Sequence, residues 1–218
     1  TTESSDRAFE EEVMLSGFGQ AKVKPEGSSV EFDRAQETFT ARYTHETVTL
    51  GFAITEEAIE DNLYDRLATR YTKALARSMA QTKQIKAAAP LNNGLPGLTF
   101  KSGDGVTLFN TAHPTVSGSF SNTLATAADL NETSLEQAMI DIAALTDERG
   151  LKIAAKATKM IIPSQLQFTA ERLMKSTQRV GTADNDINAI ASMGMVPGGY
   201  SINHFLTDPD AFYLITDV

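Results

Sequence analysis

Alternation of side-chain type between Glu37 and Ile54 is typical of a β-strand. One side of the pattern is rich in aromatic and β-branched residues, namely Phe39, Ala41, Tyr43, His45, Thr47 and Thr49. An extended segment at Gln20–Lys24 is predicted to pair with it, with a Gly- and Ser-containing turn between them. Because a two-stranded hairpin is marginally stable alone in water, we expect it to pack on another subunit. The predicted subunit-contact residues are Phe39, Tyr43, His45 and Thr47.

A long helix is predicted from Thr55 to Ala89. Thr55 is a suitable N-cap, and acidic residues fill the first turns, whereas every charged residue from Arg66 to Lys86 is basic. This segregation matches the helix dipole. A helix of this length spans roughly 50 Å, so we expect an elongated subunit that lies against its neighbours.

The helix has two distinct faces at 100° per residue. A basic stripe lies within an arc of about 60° and contains Arg66, Arg70, Lys73 and Arg77. A face predicted to be buried lies opposite and contains Tyr64, Leu67, Tyr71, Leu75 and Met79. Three interpretations of the stripe stay open: a solvated face, a row of ion pairs to another subunit and its acidic arm, or a surface that faces nucleic acid.

The second half of the chain alternates helices and strands, which is typical of an α+β unit. Pro90 and the glycines after it are predicted to end the long helix. The second half is predicted to contain a helix opened by a capping box at Thr133–Glu136 and ended by Gly150, a buried strand at Lys159–Ile162, a helix opened by Pro163 and Ser164, and strands at Tyr200–Leu206 and Ala211–Ile215.

Composition restricts the classes of function that the chain can have. The chain has 218 residues, 41% of them apolar, which suffices for a real core. Its net charge of −9 argues against non-specific nucleic-acid binding as the main role of the surface. It has no cysteine and therefore no thiolate chemistry. The first sixteen residues carry five acidic side chains, and we interpret them as a flexible or partner-dependent arm.

The sequence offers little catalytic chemistry. Its three histidines, His45, His113 and His204, lie in separate segments without metal-ligand spacing, and it contains no phosphate-binding glycine motif. We therefore predict no enzyme activity, cofactor or metal site. The alternative is a small α+β hydrolase with His113 and Asp104 in its active site.

Several segments resemble major capsid proteins of tailed bacteriophages. They are Arg42–Thr47, Leu50–Glu57, Glu60–Tyr64, Gly103–Gly105, Thr111–Pro114, Ala128–Asn131, Lys159–Pro163 and Asn203–Asp210. Together they cover most of the chain in the family's order. The resemblance implies the Hong Kong 97-type capsid fold, which Mu-like head subunits share.

The resemblance implies a division of the chain into parts. They are an N-terminal arm at 1–19, an extended β-hairpin loop at 20–54, a peripheral domain at 55–124 with its spine helix at 55–89, and an axial domain at 125–218. Family members usually continue beyond the strand that ends here, and we expect that return to the peripheral domain to be missing. The loop tip has no lysine, so no covalent crosslinking is expected.

The implied function is structural. The chain would self-assemble into hexamers and pentamers of an icosahedral shell around double-stranded DNA, in the bacterial cytoplasm, and become part of the virion. Implied partners are other copies of itself, a portal, a scaffold or decoration protein, and the packaged DNA without sequence specificity; no membrane is expected. An encapsulin-like compartment shell is the alternative within the same fold.

Overall fold

The chain divides into an extended N-terminal half and a packed C-terminal half. The computed structural model describes residues 4–60, 67–179, 181 and 186–218. In chain order the helices and strands are β1 (Phe9–Ser16), β2 (Gln36–Thr44), α1 (Glu56–Glu60), α2 (Leu67–Asn93), β3 (His113–Thr115), β4 (Gly118–Phe120), α3 (Glu132–Ala143), β5 (Ala157–Ile162), a 3₁₀ turn (Ser164–Leu166), α4 (Gln167–Lys175), α5 (Ala189–Met193), β6 (Tyr200–Ile202) and β7 (Tyr213–Thr216).

The hairpin forms, but its first strand is not where the sequence predicted it. β1 pairs antiparallel with β2, from Phe9 opposite Thr44 to Ser16 opposite Gln36, with a bulge after Val13. The prediction of a strand at Gln20–Lys24 is wrong, since these residues lie in the loop between β1 and β2. β1 forms the first strand because it lies opposite β2 in register, and Arg42 on β2 pairs across the hairpin with Glu11 at 2.9 Å.

Helix α2 continues past Pro90 to Asn93, so the predicted break at Pro90 is wrong. Proline removes one hydrogen bond from the helix, but side chains of other segments hold the last turn. Tyr213 Oη donates to the Leu91 carbonyl at 3.1 Å. The Asn92 amide donates to the Phe205 carbonyl and accepts from the Thr207 N–H. The start of the predicted helix is not tested, because residues 61–66 lie outside the described residues.

The segment after β2 runs back along α2. Glu46 forms an ion pair with Lys86, and the Phe52 ring lies 5.8 Å from the Tyr71 ring. Six extended residues cover about 20 Å and fifteen helical residues about 22 Å. These lengths match, so 46–52 lies antiparallel along one side of the helix.

The core lies in the C-terminal half. Its three-stranded sheet has the order β6-β5-β7, with β5 parallel to β6 and antiparallel to β7. Met160 and Ile162 on β5 are fully buried. They belong to one apolar cluster with Leu135 and Met139 of α3 and Ala170 of α4, and Ile190 of α5 is also part of it. The predicted buried strand on Lys159–Ile162 is confirmed.

Helix α3 begins and ends earlier than predicted. Asn131 is its N-cap. In a capping box, the Asn131 side chain accepts from the Ser134 N–H, and the Ser134 hydroxyl accepts from the Asn131 N–H. The helix ends at Ala143, and a turn stabilised by Asp147 precedes Gly150. None of the helices among the described residues is long and apolar enough to cross a membrane.

Two residues on α3, one buried and one exposed, test the position of the core. Leu135→Ala removes a fully buried side chain, and we expect it to lower the free energy of unfolding by about 3 kcal/mol. Ile140→Ala is the matched control, because Ile140 is 62% exposed and its truncation should cost less than about 0.5 kcal/mol. Denaturant unfolding followed by circular dichroism measures both. Equal losses for the two variants would contradict the position of the core.

Candidate assembly surfaces

One side of the hairpin faces the chain's own body. A Cβ placed on Gly103 would lie 3.1 Å from the Ala41 Cβ, so β2 packs closely on this loop. Phe39, on the same side of β2 as Ala41, is half-buried, whereas Tyr43 is 54% exposed. His45 and Thr47 follow β2 and are exposed. The four predicted subunit-contact residues therefore differ in exposure. Phe39 is partly covered by its own chain, whereas Tyr43, His45 and Thr47 are exposed.

The opposite side of the hairpin, which we call the outer hairpin face, is uncovered and carries apolar side chains beside one ion pair. It carries Phe9, Val13 and Leu15 of β1, which are 41%, 49% and 64% exposed. The Arg42 guanidinium lies 4.0 Å above the Phe9 ring and pairs with Glu11. Sequence reasoning missed this face because it assigned β1 to a flexible arm. The available signal was the apolar run Val13–Leu15, which a solvated arm would not need.

The loop between the strands, residues 17–35, which we call the distal loop, exposes apolar side chains at its far end. Val23 and Phe32 are each 94% exposed. Lys22 and Glu31, their neighbours in the chain, form an ion pair at 2.7 Å that joins the two limbs of the loop. Exposure this complete is unfavourable for apolar groups in water, so these two side chains are candidates for contact with another molecule.

Arg149 ties the base of the distal loop to the C-terminal half. Its Nη2 donates to the Arg34 carbonyl at 2.5 Å and lies 3.8 Å from Asp33 Oδ1. Asp33 in turn accepts from the Gly19 N–H at 2.7 Å. This hydrogen bond from Gly19, the one from the Arg34 N–H and the charge of Arg149 lower the pKa of Asp33.

The basic stripe on α2 is uncovered. Arg70, Lys73 and Arg77 are exposed, and none of them has an ion pair to another described residue. Arg66, the fourth predicted member, lies outside the described residues. The stripe points away from segment 46–52, which lies on the other side of the helix.

The predicted buried face of α2 is only half covered. Leu75 and Met79 are half-buried, but the prediction that Tyr71 is buried is wrong for the single chain, where it is 46% exposed. The reason is that one extended segment, 46–52, covers this part of the helix. Tyr64 and the side chain of Leu67 lie outside the described residues.

The structure brings His113 and Asp104 together but buries them. His113 Nδ1 lies 2.5 Å from Asp104 Oδ2, and the two side chains are 5% and 10% exposed. The imidazole stacks on Phe120 at 5.0 Å, and its Nε2 is buried without a hydrogen-bond partner among the described residues. The pair joins the turn at Asp104 to strand β3 and so helps to hold the 101–120 loops together.

Asp104 is the charged centre of these loops. Burial raises its pKa, but hydrogen bonds from Ser102, His113 and the Val106 N–H outweigh burial and hold the pKa below the ordinary 3.8. Its carboxylate therefore stays ionised and fixes the tight turn around Gly103 and Gly105. Among the described residues no three His, Asp or Glu side chains come together in a way that could hold a metal ion.

The single chain exposes far more surface than a compact protein of its size. Its accessible area is 15,833 Å². A compact monomer of 23.5 kDa exposes roughly 9,800 Å². The hairpin, the distal loop and α2 carry many of the exposed apolar residues. This geometry is that of a subunit which completes its burial in an assembly.

Comparison with known proteins agrees with this geometry. A family model described as phage capsid protein matches residues 37–218. The chain therefore belongs to the phage capsid protein family. No curated protein matches the chain.

Two solved structures share the fold. One is the capsid of bacteriophage JBD30 decorated with minor capsid protein trimers, with a TM-score of 0.65 and 12% identity over 93% of this chain and 87% of that one. The other is the bacteriophage JBD30 capsid, with a TM-score of 0.66 and 12% identity over 93% and 88%. The resemblance to phage capsid proteins and the mixed α and β fold are confirmed. The family and the fold are those of a structural protein.

The buried pair gives a test of stability. Asp104→Asn should lower the free energy of unfolding by about 1–3 kcal/mol at neutral pH, because an amide replaces the charged acceptor. Asp210→Asn, in an exposed loop, is the control and should change it by less than about 0.5 kcal/mol. Chemical denaturation measures both.

The stability difference between wild type and Asp104→Asn should depend on pH. Since the folded-state pKa of Asp104 lies below the unfolded value of 3.8, the unfolded chain binds more protons between the two values. The stability that Asp104 contributes is present above pH 3.8 and is lost as the pH falls through the folded-state pKa. The difference between wild type and Asp104→Asn should therefore shrink below pH 3.8. A difference that grows there would contradict the assignment.

The Arg149 contact is tested by proteolysis. Arg149→Ala should loosen the distal loop, so that trypsin cuts after Lys22 several-fold faster, because cleavage requires local opening. Lys152→Ala, an exposed neighbour on the same turn, should leave the rate unchanged. An unchanged rate in Arg149→Ala would mean that the contact does not hold the loop.

Proposed function

We propose that this chain is the major capsid subunit of a tailed phage with the Hong Kong 97-type fold. In this proposal it assembles into hexamers and pentamers of an icosahedral shell around double-stranded DNA. The observation that carries the proposal is the uncovered surface of the single chain, which exceeds that of a compact monomer by roughly 6,000 Å². Membership of the phage capsid protein family supports it.

The parts of that fold are assigned as follows. The extended loop begins at Phe9, because β1 is one strand of the hairpin. The peripheral domain comprises 55–124 with α2 in its spine helix. The axial domain comprises 125–218 with the apolar core. The resemblance to the JBD30 capsid over 93% of this chain supports the assignment.

Assembly rests on burial and not on chemistry. A typical interface buries about 800 Å² of each partner, so the excess surface suffices for several neighbours. The proposed contacts are the outer hairpin face, the end of the distal loop, and Tyr43, His45 and Thr47 beyond β2. Many modest contacts of this kind, repeated around a closed symmetric shell, give a large collective stability.

The proposed partners follow from the shell. They are other copies of the chain, a portal, a scaffold protein and packaged DNA, and assembly takes place in the bacterial cytoplasm. The JBD30 capsid is decorated with minor capsid protein trimers, and by analogy a decoration protein is a further candidate. The net charge of −9 suits a container that does not bind its DNA tightly.

Electron microscopy of the expressed protein tests the proposal. Negative-stain images should contain uniform round shells, or rings of five and six subunits. Monomers or dimers as the only products, with a scaffold protein also supplied, would contradict it. Shells that enclose a protein cargo and no DNA in the native source would instead support a compartment shell of the encapsulin kind.

The distal loop offers a specific assembly variant. Val23→Asp with Phe32→Asp should abolish shells but leave the free energy of unfolding of the monomer within about 0.5 kcal/mol of wild type, since both side chains are 94% exposed. Ser28→Asp adds charge to the same loop without removing an apolar side chain, and it should still assemble. Sedimentation measures shells, and denaturation measures stability. Normal shells from the double variant would exclude the loop end from the interface.

A further inference from the structure

Helix α2 concentrates positive charge within an acidic chain. Its 27 residues include five lysines and arginines and neither aspartate nor glutamate, although the net charge of the whole chain is −9. Arg70, Lys73 and Arg77 are exposed, and none of them has an ion pair to another described residue. Like charges three and four residues apart on a helix repel each other. An anionic partner that covers this basic stripe is therefore bound favourably.

The side of the helix that carries the stripe has no apolar side chain that could anchor a protein partner. From Arg70 to Gln84, an arc of about 120° centred on the stripe contains, besides the cations, Ala80, Gln81 and Gln84. All of these side chains are exposed. The buried cores of protein interfaces are depleted of charged residues and enriched in aromatic ones. Phosphate groups, in contrast, are bound by arginine, lysine and glutamine side chains, so the residue types favour a phosphate partner.

The cationic surface continues from the helix onto the sheet. Gln84 lies about two turns beyond Arg77 on the same side of α2, and it lines a groove of about 340 Å³ between the helix and the sheet. Lys159 of β5, Ser201 of β6 and His204 line the groove as well. Its remaining lining is largely apolar, so only the polar side chains of the groove can bind an anion.

Lys159 adds a cation to the stripe from a distant part of the chain. It has no ion pair to another described residue. Because it shares the groove with Gln84, its ammonium group lies on the side of α2 that carries the stripe. Two separate elements, α2 and β5, therefore provide unpaired cations to one surface.

The length of this surface fits duplex DNA. The helix from Arg70 to Gln84 is about 21 Å long. Duplex DNA carries one negative charge per about 1.7 Å of its axis, so the same length of duplex contains about twelve phosphates. The phosphates on the near side of a duplex that lies along α2 can contact the three cations of the stripe at the same time.

We propose that the basic stripe of α2, together with Lys159, binds the phosphate backbone of double-stranded DNA without sequence specificity. This inference rests on the proposed function, because inside a shell the partner polyanion is the packaged genome and the stripe then faces the interior. The acidic remainder of the chain repels DNA and confines the contact to this one surface. DNA is then held at a defined face of each subunit without being bound tightly over the whole wall.

DNA binding by the full chain tests the contact. The stripe variant, Arg70→Gln with Lys73→Gln and Arg77→Gln, should bind a short fluorescein-labelled duplex of mixed sequence at least about tenfold more weakly at low salt. The slope of log affinity against log salt concentration should become shallower by about 3, because each lost phosphate contact removes about 0.9. For Lys159→Gln alone the slope should change by about 1. Fluorescence anisotropy over a salt series measures affinity and slope.

A charge-matched control separates the stripe from the net charge. Lys83→Gln with Lys101→Gln and Lys152→Gln removes as many positive charges from exposed positions outside the stripe. It should bind within about twofold of wild type, because charges far from the DNA are screened by salt. All variants should have the circular dichroism of wild type. Equal losses in the two triple variants, or no measurable binding by the wild type at low salt, would overturn the proposal.

A competitor identifies the kind of polyanion. Unlabelled duplex should displace the labelled duplex at lower concentrations of charge than polyglutamate does, because the stripe lacks apolar anchors for a polypeptide. Displacement by polyglutamate at lower concentrations than by unlabelled duplex would overturn the proposal in favour of an acidic polypeptide partner.

Assembly is measured separately from DNA binding. Both triple variants should form shells in the yield of wild type. If wild type forms no shells, the proposed function fails, whatever the DNA affinity is. If wild type forms shells but the stripe variant keeps its DNA affinity, the inferred contact alone is wrong. A stripe variant that forms no shells and still binds DNA as wild type does would assign the stripe to a subunit interface and would also overturn the contact.

Discussion

The junction between α2 and the sheet determines how the two halves of the molecule are related. Asn92 binds both the carbonyl of Phe205 and the N–H of Thr207, so its one side chain fixes the end of the helix to the loop before β7. Tyr213 adds a hydrogen bond to Leu91 and packs its ring 5.1 Å from that of Phe109. A Cβ on Gly94 would lie 2.5 Å from the Pro90 carbonyl, so the chain can turn this tightly only at a glycine. The long helix projects from the core because these contacts hold one end of it.

The two halves are stabilised in different ways. The C-terminal half buries a continuous apolar cluster around Met160 and Ile162 and folds around it as ordinary globular domains do. The hairpin and distal loop have backbone pairing and polar contacts such as Arg149 with Arg34, but little buried apolar area of their own. The C-terminal core is therefore stable by itself, whereas the hairpin and the distal loop gain stability when another molecule binds and covers them.

The sequence predicted those elements whose signal is local. The apolar run at Met160–Ile162 followed by Pro163 identified β5 and the turn after it, because period, β-propensity and the stop signal agree there. β1 was missed because three consecutive glutamates resemble a solvated tail, and only its pairing with a strand more than twenty residues later makes it a strand. α5 is five residues long and is capped by Asn188, and so short a helix carries little periodic signal.

For α2 the helical period separated the two faces of the helix. The period does not tell whether a given face is covered by the same chain or left for another molecule. The approach of His113 to Asp104 also depends on tertiary structure, as does the burial of both side chains.

Pro90 gives the junction of the two halves a mechanical property. Because proline donates no hydrogen bond, the carbonyl of Lys86 lacks its helical partner, and helices bend most readily at such positions. The bend would lie between the face that carries Arg70 and Arg77 and the anchor at Asn92. In the proposed shell, subunits of identical sequence occupy rings of five and of six, which meet at different angles. A small change of curvature at one turn of one helix would let the same core and the same contacts serve both, and the local curvature of the proposed container would then depend on the compliance of a single backbone position.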